Sequence, residues 1–220
     1  FLAKAGAKVA VFDINLQNAQ SVAKEIGGLA VQCDVSDAEN AEAAVDQAQA
    51  EHGIARICVN CAGIAPAKRI VGREGAMPLD DFRKVIDVNL IGTFNIMRLV
   101  ALAMSQAEPI EDERGVIINT ASIAAYEGQI GQAAYSASKG GVVGMTLPAA
   151  RELSQFGIRV MTIAPGIMET PMMKGMPQNV QDSLAAMIPF PKRLGLASEY
   201  AKLALHIIEN SYLNGEVIRL

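Results

Sequence analysis

The segments "INTAS" at 118–122 and "YSASK" at 135–139 bring a serine, a tyrosine and a lysine into one short region. Tyr135 and Lys139 are four residues apart, so in a helix their side chains stack on one face. A free phenol, with a pKa of about 10, is a poor base at neutral pH. An ammonium group one turn away favours the phenolate and makes Tyr135 an acid/base group. Interconversion of a secondary alcohol and a ketone needs such a group, because the hydroxyl proton must leave when hydride leaves carbon. Ser122, just after an apolar run that reads as a strand, can hold the substrate oxygen while charge moves. Singly, a serine here is a cap and a helical tyrosine is half-buried core. Their joint spacing carries the chemical reading.

The elements that must position these residues follow from hydrophobic patterning. Apolar, β-rich runs at Lys8 to Phe12, Leu29 to Cys33, Ile54 to Asn60, Gly115 to Thr120, Ile158 to Ile163 and Glu216 to Leu220 predict strands. Most run apolar without polar alternation, as strands covered on both faces do, which implies a parallel sheet. Helix-length segments separate them. One opens at "SDAE", where Ser36 and Glu39 suggest a capping box, and closes at Gly53. The alternation predicts an α/β fold, a Rossmann-type doubly wound parallel sheet in a single domain. The stretch from Pro165 to Arg193, rich in Met and Pro, breaks the rhythm, and 166–193 is expected to form a substrate lid. Its methionines at 168, 172, 173, 176 and 187 suit an adaptable apolar pocket.

Composition narrows the function classes. The chain has 220 residues, 51% of them apolar, and a formal net charge of -4 with no Lys/Arg block, which argues against a nucleic-acid partner. No uninterrupted apolar run approaches the roughly 20 residues that cross a bilayer, so no membrane association is expected. A small-molecule substrate is the better expectation. Cys58 and Cys61 stand in C-x-x-C, but "RICVNCAG" is apolar, and both are expected as buried small hydrophobes. No second Cys/His pair completes a zinc set, so no metal is expected. Three cysteines without an even framework point to a reducing compartment, the cytoplasm or the mitochondrial matrix. His52 and His206 have ordinary surface or core roles.

The first complete strand ends at Asp13. In a dinucleotide fold, a carboxylate there accepts hydrogen bonds from the adenosine ribose and repels a 2′-phosphate. Ile14 and Asn15 supply no compensating charge, so NAD is favoured over NADP. The Gly-rich turn that meets the pyrophosphate in such folds is absent from the right place. The natural chain is therefore expected to include a first strand and turn upstream of Phe1, and "NGEVIRL" stops inside a strand.

The ordered motifs "CDVSD", "VNCAGIA", "DVNLIGTF", "GVIINTASIAAYEGQIGQAAYSASKGG" and "IRVMTIAPGIMETP" resemble the short-chain dehydrogenase/reductase family from end to end. "AAYSASKGGVVGMTLPAARELSQFGIRVMTIAPG" and "YLNGEVIRL" are most similar to its type II 3-hydroxyacyl-CoA dehydrogenases, also described as type 10 17β-hydroxysteroid dehydrogenases. The resemblance implies Tyr135 as acid/base, Lys139 as its electrostatic partner and ribose ligand, Ser122 as oxygen holder, and Asn89 as support for Lys139 through a water and a backbone kink. It implies adenine contacts from Asp34 and Val35, and a ribose loop at Cys61, Ala62 and Gly63. Pro165, Gly166 and Thr170 would meet the nicotinamide end. The expected reaction is the 3-hydroxyacyl-CoA/3-oxoacyl-CoA interconversion of fatty acid metabolism. Alternatives are 3-oxoacyl-carrier-protein reduction with NADPH, steroid oxidation, or a non-catalytic scaffold. A homotetramer built on helices around 80–104 and 132–156 is also implied.

Overall fold

The computed structural model describes residues 1–73, 75–169 and 178–220. The chain starts with a short 3₁₀ turn, Ala3–Ala5, closed by Gly6 in the left-handed region at φ 94°. Strand β1 (Ala10–Asp13), helix α1 (Leu16–Ile26), β2 (Leu29–Gln32) and α2 (Ala38–His52) follow. Next come β3 (Ile57–Asn60), a small antiparallel hairpin of β4 (Val71–Gly72) and β5 (Gly75–Ala76), and helix α3 (Leu79–Ile86). A π turn at Asp87–Ile91 joins α3 to α4 (Gly92–Ser105). The remainder is β6 (Gly115–Thr120), α5 (Ala124–Glu127), α6 (Ala133–Leu153), β7 (Ile158–Ala164), α7 (Gln178–Ala186), α8 (Ala197–Glu209) and β8 (Val217–Arg219).

All ladders outside the hairpin are parallel, and they form two sheets. β1 pairs with β2, and β3-β6-β7-β8 make the larger sheet. No ladder joins the two among the described residues. They share one apolar layer nonetheless: Val31 from the first sheet packs in one cluster with Cys58, Ile117 and Val160 of the second, and with Ala41, Ile96 and Met104 from α2 and α4. On the opposite face α8 covers Val116, Ile118 and Met161. Helices on both faces of a parallel sheet account for the unbroken apolar runs of β6 and β7, whose residues are almost all buried. The chain is a single α/β domain with Rossmann-type doubly wound architecture.

Two local expectations change. The cap of α2 is Asp37, not Ser36: Asp37 Oδ1 accepts from Asn40 N at 2.8 Å. Ser36 is held elsewhere, since its N–H and hydroxyl both donate to Asp34 Oδ1, at 2.9 and 2.6 Å. Cys61 is exposed, whereas Cys33 and Cys58 are buried as small hydrophobes should be. The apolar run ends with β3 at Asn60, and Cys61 is already in the loop beyond the sheet edge.

By length and composition alone, the continuous helical stretch Leu79–Ser105 is apolar enough to cross a membrane. Its apolarity has an internal explanation, because α4 packs Ile96, Met97, Val100 and Met104 into the shared core. Gly92 starts α4 where a Cβ would lie 2.5 Å from Val35 Cγ2, so only glycine lets the loop after β2 lie on this helix.

Candidate active site

The carboxyl ends of β3, β6 and β7 open onto a cavity of about 940 Å³ lined by Ser122, Tyr135, Lys139, Gly63 and Met168, among others. Helix α6 brings Tyr135 and Lys139 there on consecutive turns of one face, as their spacing requires. Lys139 is only 4% exposed, and its Nζ donates to the main-chain oxygen of Thr120 at 2.7 Å. The same nitrogen lies 5.8 Å from the centroid of the Tyr135 ring. Loss of water around the ammonium pulls its pKa down to about 8, a shift that the electrostatic influence of nearby Cys61 partly opposes. Tyr135 is half-buried with its ring at the cavity wall.

Ser122 lies two residues beyond the end of β6 and is nearly buried. Its Oγ accepts from Ala124 N at 3.1 Å in a local turn two residues long; the cap position of α5 itself is Ile123, so Ser122 is not the helix cap. Accepting that bond leaves the hydroxyl proton to be donated, and Ser122 faces the cavity that Tyr135 also lines.

Asn89 is fully buried in the π turn, which supplies the expected backbone kink. Its side chain clamps the loop after β3: Nδ2 donates to Ile64 O at 2.9 Å, and Ile64 N donates to Oδ1 at 2.8 Å. Nδ2 also donates to Ser138 Oγ at 3.0 Å, and Ser138 Oγ donates to Tyr135 O at 2.7 Å. The connection of Asn89 to Tyr135 therefore runs through Ser138 to the Tyr135 main-chain oxygen. Asn89 and Lys139 meet around Gly63, where a Cβ would come 3.2 Å from Asn89 Oδ1 and 3.5 Å from Lys139 Nζ.

The residues expected along the cofactor occupy neighbouring strand ends. Asp13 closes β1, and its Oδ1 accepts from Asn15 N at 2.8 Å while Asn15 caps α1. Asp34 is taken up locally by Ser36, and Val35 passes its carbonyl to Asn95 Nδ2 at 2.9 Å. Cys61, Gly63, Pro165 and Gly166 line the cavity together with the catalytic candidates; Asp13, Asp34, Val35 and Ala62 do not. Pro165 O accepts from Ile123 N, and Gly166 N donates to Leu220 O. Thr170 and the methionines at 172, 173 and 176 lie outside the described residues. Met168 lines the cavity, and Met187 is 56% exposed.

Sequence reasoning missed Thr120, Ser138 and Tyr200. Ser138 sits inside the "YSASK" motif three residues after Tyr135, so helical spacing alone could have flagged it. Thr120 acts through its carbonyl, which residue type does not reveal. Tyr200 is 80 residues away from Thr120, and its hydroxyl lies 2.7 Å from Thr120 Oγ1. Among the described residues no group of three or more His, Cys, Asp or Glu side chains could hold a metal ion.

A cavity at the carboxyl edge of a parallel sheet, with Ser, Tyr and Lys on its wall, defines a class of alcohol/ketone oxidoreductase. Residues 1–220 match the family model described as "Enoyl-(Acyl carrier protein) reductase". The chain belongs to the short-chain dehydrogenase/reductase family and is one of its oxidoreductases. Within that family it is 52% identical over 220 residues to 3-hydroxyacyl-CoA dehydrogenase type-2 of Bos taurus, covering 98% of this chain and 84% of the relative. It is 51% identical over 224 residues to the protein of the same name from Drosophila melanogaster, covering 100% and 88%. A crystal structure of 3-hydroxyacyl-CoA dehydrogenase type-2 from Mycobacterium avium superimposes with a TM-score of 0.94 at 44% identity, covering 100% of this chain and 86% of that one. The 3-oxoacyl-[acyl-carrier-protein] reductase FabG of Thermotoga maritima is 35% identical over 98% of this chain and 87% of its own.

Proposed function

We propose that this protein is an NAD-dependent dehydrogenase that interconverts 3-hydroxyacyl-CoA and 3-oxoacyl-CoA. The observation that carries the chemistry is the buried Lys139 ammonium, fixed by the Thr120 carbonyl beneath the Tyr135 ring in the cavity that Ser122 shares. The substrate class rests on the names of the relatives at about half identity.

The chain has features that fit a dinucleotide. Lys139 makes one hydrogen bond through an ammonium with three donors, leaving N–H groups for ribose hydroxyls. Gly63 leaves the space beside it free of a side chain. Asp13 has a carboxylate oxygen beyond the one that Asn15 uses, available to a second ribose. Asp34, Val35, Cys61 and Ala62 are assigned to the adenosine half, and Pro165 and Gly166 to the nicotinamide end, together with Thr170 on the sequence motif alone. A bound nicotinamide supplies the acceptor, or the source, of the hydride.

The protein's own part is proton handling and orientation. In the oxidation direction the Tyr135 oxygen takes the substrate hydroxyl proton, and in reduction it returns that proton. Lys139 stabilises the negative charge this places on Tyr135, because two groups this close interact strongly where water is excluded. Ser122 donates its hydroxyl to the substrate oxygen and keeps the carbon facing the hydride path. Asn89 holds the Ile64 backbone and, through Ser138, the turn of α6 that carries Tyr135. Segment 166–193 serves as the lid, with Met168 as its contact to an acyl chain.

Purified protein should form NADH from NAD and a 3-hydroxyacyl-CoA, with weaker turnover of steroid alcohols; absence of turnover across an acyl-CoA and steroid panel would point to the scaffold reading. A second reading, reduction of 3-oxoacyl carrier protein with NADPH, is favoured by the Thermotoga relative. It requires NADPH preference, which the carboxylate of Asp13 opposes. Outward-facing Ile91, Phe94 and Leu102 on and beside α4, with Leu147 on α6, further support a homotetramer, testable by sedimentation. Burial pushes the Cys33 and Cys58 thiols up to about 11 and about 12, and unpaired, unreactive thiols suit a reducing compartment, the cytoplasm or the mitochondrial matrix.

A further inference from the structure

Thr120 is the point at which the two faces of the sheet meet. Side chains alternate along β6, so Ile118 and Thr120 face α8 while Ile117 and Asn119 face α4. Lys139 reaches the Thr120 carbonyl from α6, Nζ to O 2.7 Å. From behind the sheet, Tyr200 on α8 puts its hydroxyl 2.7 Å from Thr120 Oγ1. The Tyr200 ring packs in the apolar cluster of Ile118, Met161 and Ala204, which fixes the direction of its hydroxyl. Cys61, at the end of β3, completes the group: its Sγ lies 3.7 Å from Thr120 Oγ1 and 3.9 Å from the Tyr200 oxygen. Thr120 is also the last residue of β6 with a ladder partner, Ile163; the peptide that carries its carbonyl is held on the β7 side by Ala121 N, which donates to Ile163 O at 2.8 Å, and Tyr200 adds a side-chain restraint from the face covered by α8.

We propose that Tyr200 is a positioning residue for Lys139: its hydroxyl holds Thr120 from the far face of the sheet, and the Thr120 carbonyl then holds the ammonium. The proposal rests on the reading of Tyr135 and Lys139 as the acid/base pair. Tyr200 does not line the catalytic cavity, so its effect passes through the strand end and not through substrate. Burial keeps its phenol neutral far above the usual tyrosine range, so the bond to Thr120 persists at every pH at which the protein is folded.

Tyr200→Phe removes one oxygen and keeps the ring. Two readouts are needed: kcat/KM against pH, and the pH midpoint of Lys139 acetylation by acetic anhydride, followed by mass spectrometry. In the wild type the midpoint should lie at about 8. In Tyr200→Phe and in Thr120→Val it should fall by at least about half a unit, because the ammonium loses its carbonyl acceptor while it stays buried, with kcat/KM lower by roughly 5- to 20-fold. Thr120→Ser, which keeps the hydroxyl, should stay close to wild type in both. The double variant Tyr200→Phe/Thr120→Val should be no worse than either single one. An unchanged midpoint and kcat/KM in Tyr200→Phe, or losses that add in the double variant, would overturn the proposal. Should Tyr200→Phe not fold, Thr120→Val against Thr120→Ser decides the matter alone. Acetylation needs no turnover, so an inactive wild type would count against the proposed reaction while the midpoint still decides the Lys139 anchor.

Discussion

Lys139 and Thr120 are joined by a bond from an ammonium to a main-chain carbonyl, 2.7 Å long, in a place where the lysine is 4% exposed. The cation has left water for a single neutral acceptor. Its lowered pKa, about 8 against 10.5, means that burial opposes the charged form.

The sign of the resulting pH dependence is fixed by linkage. Below pH 8 both the folded and the unfolded chain hold the proton, and the cost of burying the charge is complete. Between about 8 and 10.5 the unfolded chain holds a proton that the folded one has lost, so stability rises with pH, by about 3 kcal/mol in all. Lys139→Met removes the buried charge and orphans the Thr120 carbonyl. It should be about 1–2 kcal/mol more stable than wild type at pH 7, with the gap closed near about pH 9 and reversed by about pH 10, while turnover is lost. Urea unfolding of both proteins at pH 7, 8.5 and 10 measures this. A gap that does not change with pH would show that Lys139 is not the titrating group.

Tyr135→Phe keeps the ring beside Lys139 and removes the only oxygen assigned to proton transfer. Turnover should fall by roughly 10²- to 10⁴-fold. NADH affinity, followed by fluorescence titration, should change by less than about threefold, since the ribose donors on Lys139 are intact. Substantial residual turnover would remove Tyr135 from its assigned role.

Asp13→Ser withdraws the carboxylate that would face a 2′-phosphate and keeps a side-chain oxygen for Asn15 N. The ratio of kcat/KM for NADH over NADPH should fall by about tenfold, or about 1.4 kcal/mol. Steady-state kinetics with both cofactors decides it, and an unchanged ratio would place the ribose elsewhere.

Arg159 offers a test of stability far from the cavity. It is nearly buried at the opposite end of β7, paired with Glu113 at 2.5 Å. It also donates to Ile207 O at 2.9 Å, Ile208 O at 3.1 Å and Leu213 O at 2.9 Å, which closes the carboxyl end of α8. Arg159→Met should cost about 3–5 kcal/mol in chemical denaturation, because three carbonyls and a carboxylate lose their donor together. The kcat of the folded fraction should be unchanged.

The parts of this architecture that depend on period and residue type were legible from sequence. Gly115 to Thr120 is a strand with the expected bounds, and Tyr135 and Lys139 share a helical face because four residues make about one turn. Competing side chains displaced other expectations. Ser36 is a good cap in isolation, but Asp34 binds it first and leaves Asp37 to cap α2. Cys61 follows an apolar run that stops one residue earlier than composition suggests. The partners of Lys139 and Thr120 were invisible for another reason: one bond uses a backbone carbonyl, and the other joins a strand residue to a helix residue 80 positions later in the chain.

The π turn before α4 has a consequence for how the site is kept. Gly92 N–H reaches back five residues, to Asp87 O, so this stretch contains one residue more than α-helical counting allows. Each α-helical residue turns the chain by about 100°, and the widened turn takes up the one in excess. Val85 before the turn and Thr93, Ile96 and Val100 after it are all buried. Deleting a single residue at Val88 would restore a regular helix and take away the widened turn on which Asn89 is set. The asparagine that clamps Ile64 is thus held in register by a miscount in the helix, without any proline to bend it.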